Sequence, residues 1–171
     1  MTNLLENAKK FAGKFHKGQY RKDGVTPYIT HPAAVAHILE QTGVTDQEIL
    51  AAAWLHDVVE DTSATLEDIL NSFTQRVAGI VEVLTRNCDR ETYKTRILNA
   101  GYDAQLVKIA DMVHNCSDIA KDYSQLPRTM VETKIKDCEA IYLILAERVS
   151  KHLYHQLRTS YERVKDRVME E

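Results

Sequence analysis

Apolar residues recur three and four positions apart along nearly all of this chain, and no stretch alternates with the period of two that marks a strand. Residues 3 to 17 carry Leu4, Leu5, Ala8, Phe11, Ala12 and Phe15 on one side, the stripe of an amphipathic helix. Thr30-His31-Pro32 opens a second helix, with Thr30 in the capping position and Pro32 early enough for its missing N–H to do no harm. Ala33, Val35, Ala36, Ile38 and Leu39 supply its apolar face, and Gly43 ends it. Asp46 caps a central helix that the pattern carries to about Glu60. A short fourth helix starts at Thr65 and holds Ile69, Leu70 and Phe73. A fifth holds Val77, Ile80, Val81 and Leu84.

After a loop at 88–90, residues 91–100 form a short helix with Tyr93, Lys94 and Arg96, broken by Gly101. Asp103 is placed to cap a long helix bearing Leu106, Val107, Ile109, Ala110, Val113 and Ile119. Pro127 interrupts, and two helices follow over about 129–148 and 151–168. The last is charged enough to be expected at the surface. The pattern predicts an all-α protein, a compact bundle of eight to nine helices.

Three places break the pattern, and they carry the chemistry. The first is the end of the central helix, where His56, Asp57, Glu60 and Asp61 sit among Leu55, Val58 and Val59. Residues four apart share a helix face, so His56 should lie beside Glu60 and Asp57 beside Asp61. Carboxylates crowded in this way repel one another unless a cation neutralises them. An acidic helix end standing alone reads equally well as a solvated terminus.

The second is Asp111, between Ile109-Ala110 and Met112-Val113, where a bare carboxylate would be costly to bury unless paired or bound to metal. The third is the loop from Gly18 to Tyr28, which places Arg21 and Lys22 just ahead of the second helix. A basic pair of that kind is otherwise ordinary solvated surface.

Composition narrows the rest. A chain of 171 residues is sized for one domain, here taken as 1–171. A net charge of −3 argues against a general nucleic-acid or membrane binder but leaves room for a local basic pocket. Cys88, Cys116 and Cys138 are odd in number and show no CxxC pairing, which fits free thiols in a reducing compartment. No apolar run approaches ~18 residues and no signal-peptide core opens the chain, so the expected location is cytoplasmic.

His31, His56-Asp57 and Asp111 lie on three separate helices. Two imidazoles and two carboxylates without a thiolate suit Mn²⁺, Fe²⁺ or Mg²⁺ better than structural zinc. Four protein ligands on a six-coordinate ion leave positions for water and a phosphate oxygen, which is a catalytic arrangement.

The pattern His…His-Asp…Asp resembles the HD-domain metal phosphohydrolases. More narrowly, four segments are similar to the hydrolase domain of RelA/SpoT enzymes, in that family's order. They are Gly18-Gln19-Tyr20-Arg21-Lys22-Asp23-Gly24, Pro27-Tyr28-Ile29-Thr30-His31-Pro32, His56-Asp57-Val58-Val59-Glu60-Asp61-Thr62 and Lys108-Ile109-Ala110-Asp111-Met112-Val113-His114-Asn115.

The resemblance implies an HD-domain fold and a stand-alone, Mn²⁺-dependent hydrolase that removes 3′-pyrophosphate from ppGpp or pppGpp. It makes His31, His56, Asp57 and Asp111 the metal ligands, and Glu60 and Asp61 the groups that position or deprotonate water. Arg21 would stack on guanine, Lys22 and Lys94 would meet phosphates, and Asn115 and Asp118 would contact the nucleotide. A homodimer is compatible with it.

Two departures bear on the substrate. Met112 stands where family members carry a basic residue, and Ser117 stands where they tend to have Arg. Residues 86–104 offer only Arg86, Arg90, Lys94 and Arg96 to phosphates. Two rivals therefore remain: a phosphohydrolase of another nucleotide, such as NADPH or a pyrophosphorylated RNA end, and a non-catalytic nucleotide-binding regulator.

Overall fold

The computed structural model describes residues 3–122 and 126–169. The described residues form helices and loops with no strand, apart from one isolated bridge between Tyr20 and Pro27. The helices are α1 (Leu4–Phe15), α2 (Thr30–Gln41), α3 (Gln47–Leu55), α4 (Val58–Asp61), α5 (Leu66–Ser72), α6 (Gln75–Leu84), α7 (Arg90–Leu98), α8 (Tyr102–Asp122), α9 (Arg128–Asp137), α10 (Leu143–Val149) and α11 (Lys151–Met169). A π-helical turn over Cys138–Tyr142 joins α9 to α10 as one rod. Only His56 and Asp57 separate α3 from α4. Counted as rods, the described elements number nine, in line with the apolar periodicity.

The starts of these helices follow local chemistry. Asn3, Asp46, Thr65, Thr74 and Asp89 each accept hydrogen bonds from first-turn N–H groups that have no partner inside the helix. Thr65 and Asp68 form a reciprocal capping box. Gly18 and Gly43 adopt φ of +83° and +89°, where a side chain would be strained, and so let the chain reverse after α1 and α2.

Helix α8 is the axis. It packs against α2, α3, α6, α7, α10 and α11, and Leu106, Val107, Ile109, Ala110, Met112 and Val113 are all buried along it. Of its four aspartates, only Asp111 is carried into the interior.

Four local expectations are corrected. Thr30 is the first residue of α2 and caps nothing; its hydroxyl donates to Pro27 O at 2.8 Å, because Ile29 already turns in helical conformation. Asp103 lies inside the first turn of α8, which starts at Tyr102, and pairs with Arg76 at 2.8 Å. The central helix does not run unbroken to Glu60. Finally, α11 lays Leu153, Leu157, Tyr161 and Val164 along α8, so its charge covers only the outer face. No helix among the described residues is long and apolar enough to cross a membrane.

Candidate active site and metal centre

The junction between α3 and α4 sets the geometry. Asp57 takes φ −102° and ψ −7°, and Asp61 N–H still reaches Asp57 O at 2.9 Å, so the chain resumes helical form at once. Asp57 thereby lines a cavity of about 360 Å³, and His56 lies buried behind it with Nε2 toward Asp57 and Asp111. His31 enters from the start of α2 and Asp111 from the middle of α8.

His31 Nε2 lies 3.1 Å from Asp111 Oδ1 and 3.3 Å from Asp57 Oδ2. His56 Nε2 lies 3.1 Å from Asp57 Oδ2 and 3.9 Å from Asp111 Oδ1. Ligand atoms of His31, His56 and Asp111 all fall within 4.8 Å of one another, close enough to share one ion.

One atom tests whether a cation fits. His56 Nδ1 lies 2.7 Å from Ala53 O, and a carbonyl can only accept, so this nitrogen carries the proton. Nε2 is then left buried, without a well-directed hydrogen bond, and facing two carboxylates. A buried lone pair opposed to carboxylate oxygens is unfavourable unless positive charge lies between them. The donor set fits a hard or intermediate divalent ion.

On the protein's charges alone, that positive charge is a proton. Burial pushes His56 down, but Asp57 and Asp111 outweigh burial and raise it to about 9. A metal ion needs the lone pair that the proton occupies. Apparent metal affinity should therefore rise with pH, by up to roughly tenfold per unit, and level off above about pH 9. Calorimetry in buffers of different ionisation enthalpy checks this. Affinity unchanged between pH 6.5 and 8.5, with no proton released, would contradict it.

Groups around the cluster hold it in place. Lys108 Nζ meets Asp111 Oδ2 at 2.8 Å. Burial works against the Lys108 ammonium, yet Asp111, Tyr93 and Tyr142 hold its pKa well above the ordinary lysine value. Burial likewise works against the Asp111 carboxylate, and Lys108 with His31 keeps it ionised. Asn115 Nδ2 donates to Asp111 Oδ1, and His31 Nδ1 lies 2.8 Å from His114 Nδ1. The Tyr28 hydroxyl lies 2.7 Å from both Asp57 Oδ2 and Asp61 Oδ2.

Glu60 lines the same cavity. Its Oε2 accepts the Arg86 backbone N–H at 2.7 Å, and burial raises its carboxyl above the ordinary value despite Arg86 nearby.

Arg21 is held edge-on. Its Nε and Nη2 donate to Asp118 Oδ2 at 3.2 and 2.9 Å, and Nη2 also donates to Asn115 Oδ1 at 3.1 Å. The guanidinium lies 5.4 Å from the Tyr28 ring centroid. Lys22 lines the cavity with Arg86, Lys108 and Lys134.

Lys94 does not line this cavity, although it shares a neighbouring one with Lys22, Arg86, Lys108 and Lys134. It is bound to Glu91 at 2.7 Å and Asp137 at 3.0 Å. Met112 is fully buried, and Ser117 faces Ser160 of α11 at 3.2 Å on the opposite side of α8. The basic lining comes from Arg21, Lys22, Arg86, Lys108 and Lys134, with none from positions 112 and 117.

Tyr28, Lys108, His114 and Lys134 carried no assigned role in the sequence. Lys108 had a usable signal: a lysine inside an apolar run, three residues before a buried aspartate, is a paired lysine. Lys134 had none, because it arrives from a distant helix.

The HD domain family model matches residues 8–169. The chain is 41% identical over 126 residues to guanosine-3′,5′-bis(diphosphate) 3′-pyrophosphohydrolase MESH1 of Xenopus tropicalis, covering 69% of this chain and 70% of that protein. The Homo sapiens protein of the same name is 40% identical over 126 residues, with the same coverage. The bifunctional (p)ppGpp synthase/hydrolase SpoT of Escherichia coli is 34% identical over 160 residues, which is 86% of this chain and 22% of SpoT. Among solved structures, a metazoan ortholog of SpoT that hydrolyzes ppGpp superposes with a TM-score of 0.81 at 26% identity, over 95% of this chain and 96% of that one.

Proposed function

Because the chain belongs to the HD-domain family, among its guanosine-3′,5′-bis(diphosphate) 3′-pyrophosphohydrolases, we propose that it hydrolyses ppGpp and pppGpp to GDP and GTP plus pyrophosphate, with Mn²⁺ held by His31, His56, Asp57 and Asp111. The observation that carries this reading is the convergence of His31, His56 and Asp111 within 4.8 Å at the base of a cavity lined by Arg21, Lys22, Lys108 and Lys134. When bound, a divalent ion there supplies Lewis-acid polarisation of a phosphoryl group and a more acidic water.

The remaining work falls to the chain. Glu60, with its pKa raised by burial, is suited to take a proton from water, and Asp61, fixed by Tyr28, orients it. Lys22, Lys108 and Lys134 offset phosphate charge. Arg21, flattened by Asp118 and Asn115, offers a planar cation on which a purine can stack. Asn115 reaches the nucleoside as well as Asp111. Lys94 would meet a phosphate only from the adjoining cavity. The cytoplasmic setting, the one-domain organisation and a homodimer belong to the same reading.

A nucleotide panel tests it. Purified protein with Mn²⁺ should turn over ppGpp and pppGpp faster than GTP, NADPH or a pyrophosphorylated RNA end. Turnover of every nucleotide except the two alarmones would overturn the substrate. Tight ppGpp binding without turnover would make the chain a regulator instead.

A further inference from the structure

The end of α1 holds a buried histidine that touches neither the metal cluster nor the open cavity. His16 is 2% exposed and caps α1, its N–H bonded to Ala12 O. Its Nδ1 lies 2.7 Å from Gln19 Oε1, and Gln19 Nε2 donates to the main-chain oxygen of Asp61 at 2.6 Å. The Asp61 carbonyl can only accept, so the Gln19 amide nitrogen faces it and the amide oxygen faces His16, whose Nδ1 must donate. Burial keeps the imidazole below its ordinary pKa against the pull of Asp57 and Asp61, which leaves it neutral with that single proton. His16 Nε2 is buried without a hydrogen-bond partner among the described residues.

Asp61 is the last residue of a four-residue helix, and its carbonyl has no partner within that helix. Gln19 supplies one because Gly18, at φ +83°, turns the chain back. The His16 ring also stacks on Tyr28, at 4.7 Å between centroids and 25° between planes. Tyr28 in turn holds the carboxylates of Asp57 and Asp61. One imidazole thus reaches Asp61 by two routes, through its backbone and through its carboxylate.

We propose that His16, acting through Gln19, is a positioning residue that sets the direction of the Asp61 carboxylate toward the reacting water. The His16 N–H is the decisive element, and the ring stack contributes packing. The kinetic part of this inference rests on the hydrolase reading above; the structural part stands alone.

The test separates the N–H from the ring. His16→Phe keeps the ring and the Tyr28 stack but removes the donor. His16→Asn places an amide N–H where Nδ1 stood and gives up the stack. Changes in the supporting contacts of a metal site typically cost ~10- to 100-fold in activity. His16→Phe should therefore lower kcat by roughly tenfold, with KM and metal content as in the unsubstituted protein. His16→Asn should bring kcat back to within about twofold even if its melting temperature falls.

Hydrogen exchange provides the second readout. Amides of residues 57–62 should exchange faster in His16→Phe and in Gln19→Met, and the rest of the chain should not. Unchanged kcat and exchange in His16→Phe would overturn the inference. So would equal losses in both His16 variants that follow the folded fraction, since the ring would then be mere filling. If the unsubstituted protein leaves ppGpp intact, the functional reading falls, and the exchange comparison still decides the relay.

Discussion

Asp111→Ala should remove the metal and the activity together, and should also weaken the metal-free fold. Asp111 is 3% exposed at the centre of α8, with Oδ1 toward His31 and His56 and Oδ2 on Lys108. Without it, the remaining ligands come from the α3–α4 junction and α2 alone, and nothing on α8 draws the ion in. Anything that binds only the native state stabilises it, so Mn²⁺ added to stripped wild-type protein should raise its melting temperature. In Asp111→Ala that rise should vanish, and turnover should fall to background.

The substitution also leaves the Lys108 ammonium, about 15% exposed at the cavity wall beside Tyr93 and Tyr142, without its carboxylate. Removing one partner of a buried pair costs about 3–5 kcal/mol, and access to the cavity sets this case toward the lower end. At 2–4 °C per kcal/mol for a chain of this size, the metal-free variant should melt on the order of 10 °C lower. Calorimetry with and without Mn²⁺ reads both effects. An intact metal response in Asp111→Ala would reduce the residue to a structural counter-ion for Lys108.

Glu60→Gln should behave in the opposite way, keeping the metal and losing the reaction. Glu60 lines the cavity, and its hydrogen bond and ion pair go to the backbone and guanidinium of Arg86. An amide oxygen can still accept the Arg86 N–H, so the loop after α6 should stay where it is. The negative charge is what disappears, and with it the ability to take a proton. General-base contributions are typically ~10²–10⁴-fold, and kcat should fall in that range while metal content and nucleotide affinity hold. Should the variant keep full kcat, Asp61 on its Tyr28 anchor becomes the better base. A variant that melts early but turns over normally per folded molecule would assign Glu60 to structure.

The helical periodicity carried most of the architecture because these rods are amphipathic or wholly apolar, and their caps at Asp46 and Thr65 are local in sequence. The exceptions arise where tertiary packing overrides local pattern. The apolar run through Leu55 and Val58 reads as one helix, yet the chain pauses at His56 and Asp57 so that both side chains can turn toward α2 and α8. α11 looks like a surface helix by charge, but α8 needs a partner for its far face, and Leu153 and Leu157 provide it.

In the site, His56, Asp57 and Asp111 were legible as polar residues set in apolar surroundings, and His31 through the family resemblance. The contacts that orient them were not. Tyr28 bridges two carboxylates 29 and 33 residues away, and Arg21 finds Asp118 across 97 residues. No spacing rule reaches so far. Lys94, placed with the phosphates by resemblance, pairs in the fold with Glu91 and Asp137, a partner 43 residues away.

The most direct measurement is the fate of ppGpp itself. Protein stripped with chelator, and the same protein reloaded with Mn²⁺, are incubated with ppGpp and the products are separated by ion exchange. GDP and pyrophosphate in equal amounts, from the reloaded sample alone, is the predicted result. Orthophosphate as the product, or turnover that persists after the metal is gone, would contradict a metal-dependent 3′-pyrophosphohydrolase built on His31, His56, Asp57 and Asp111.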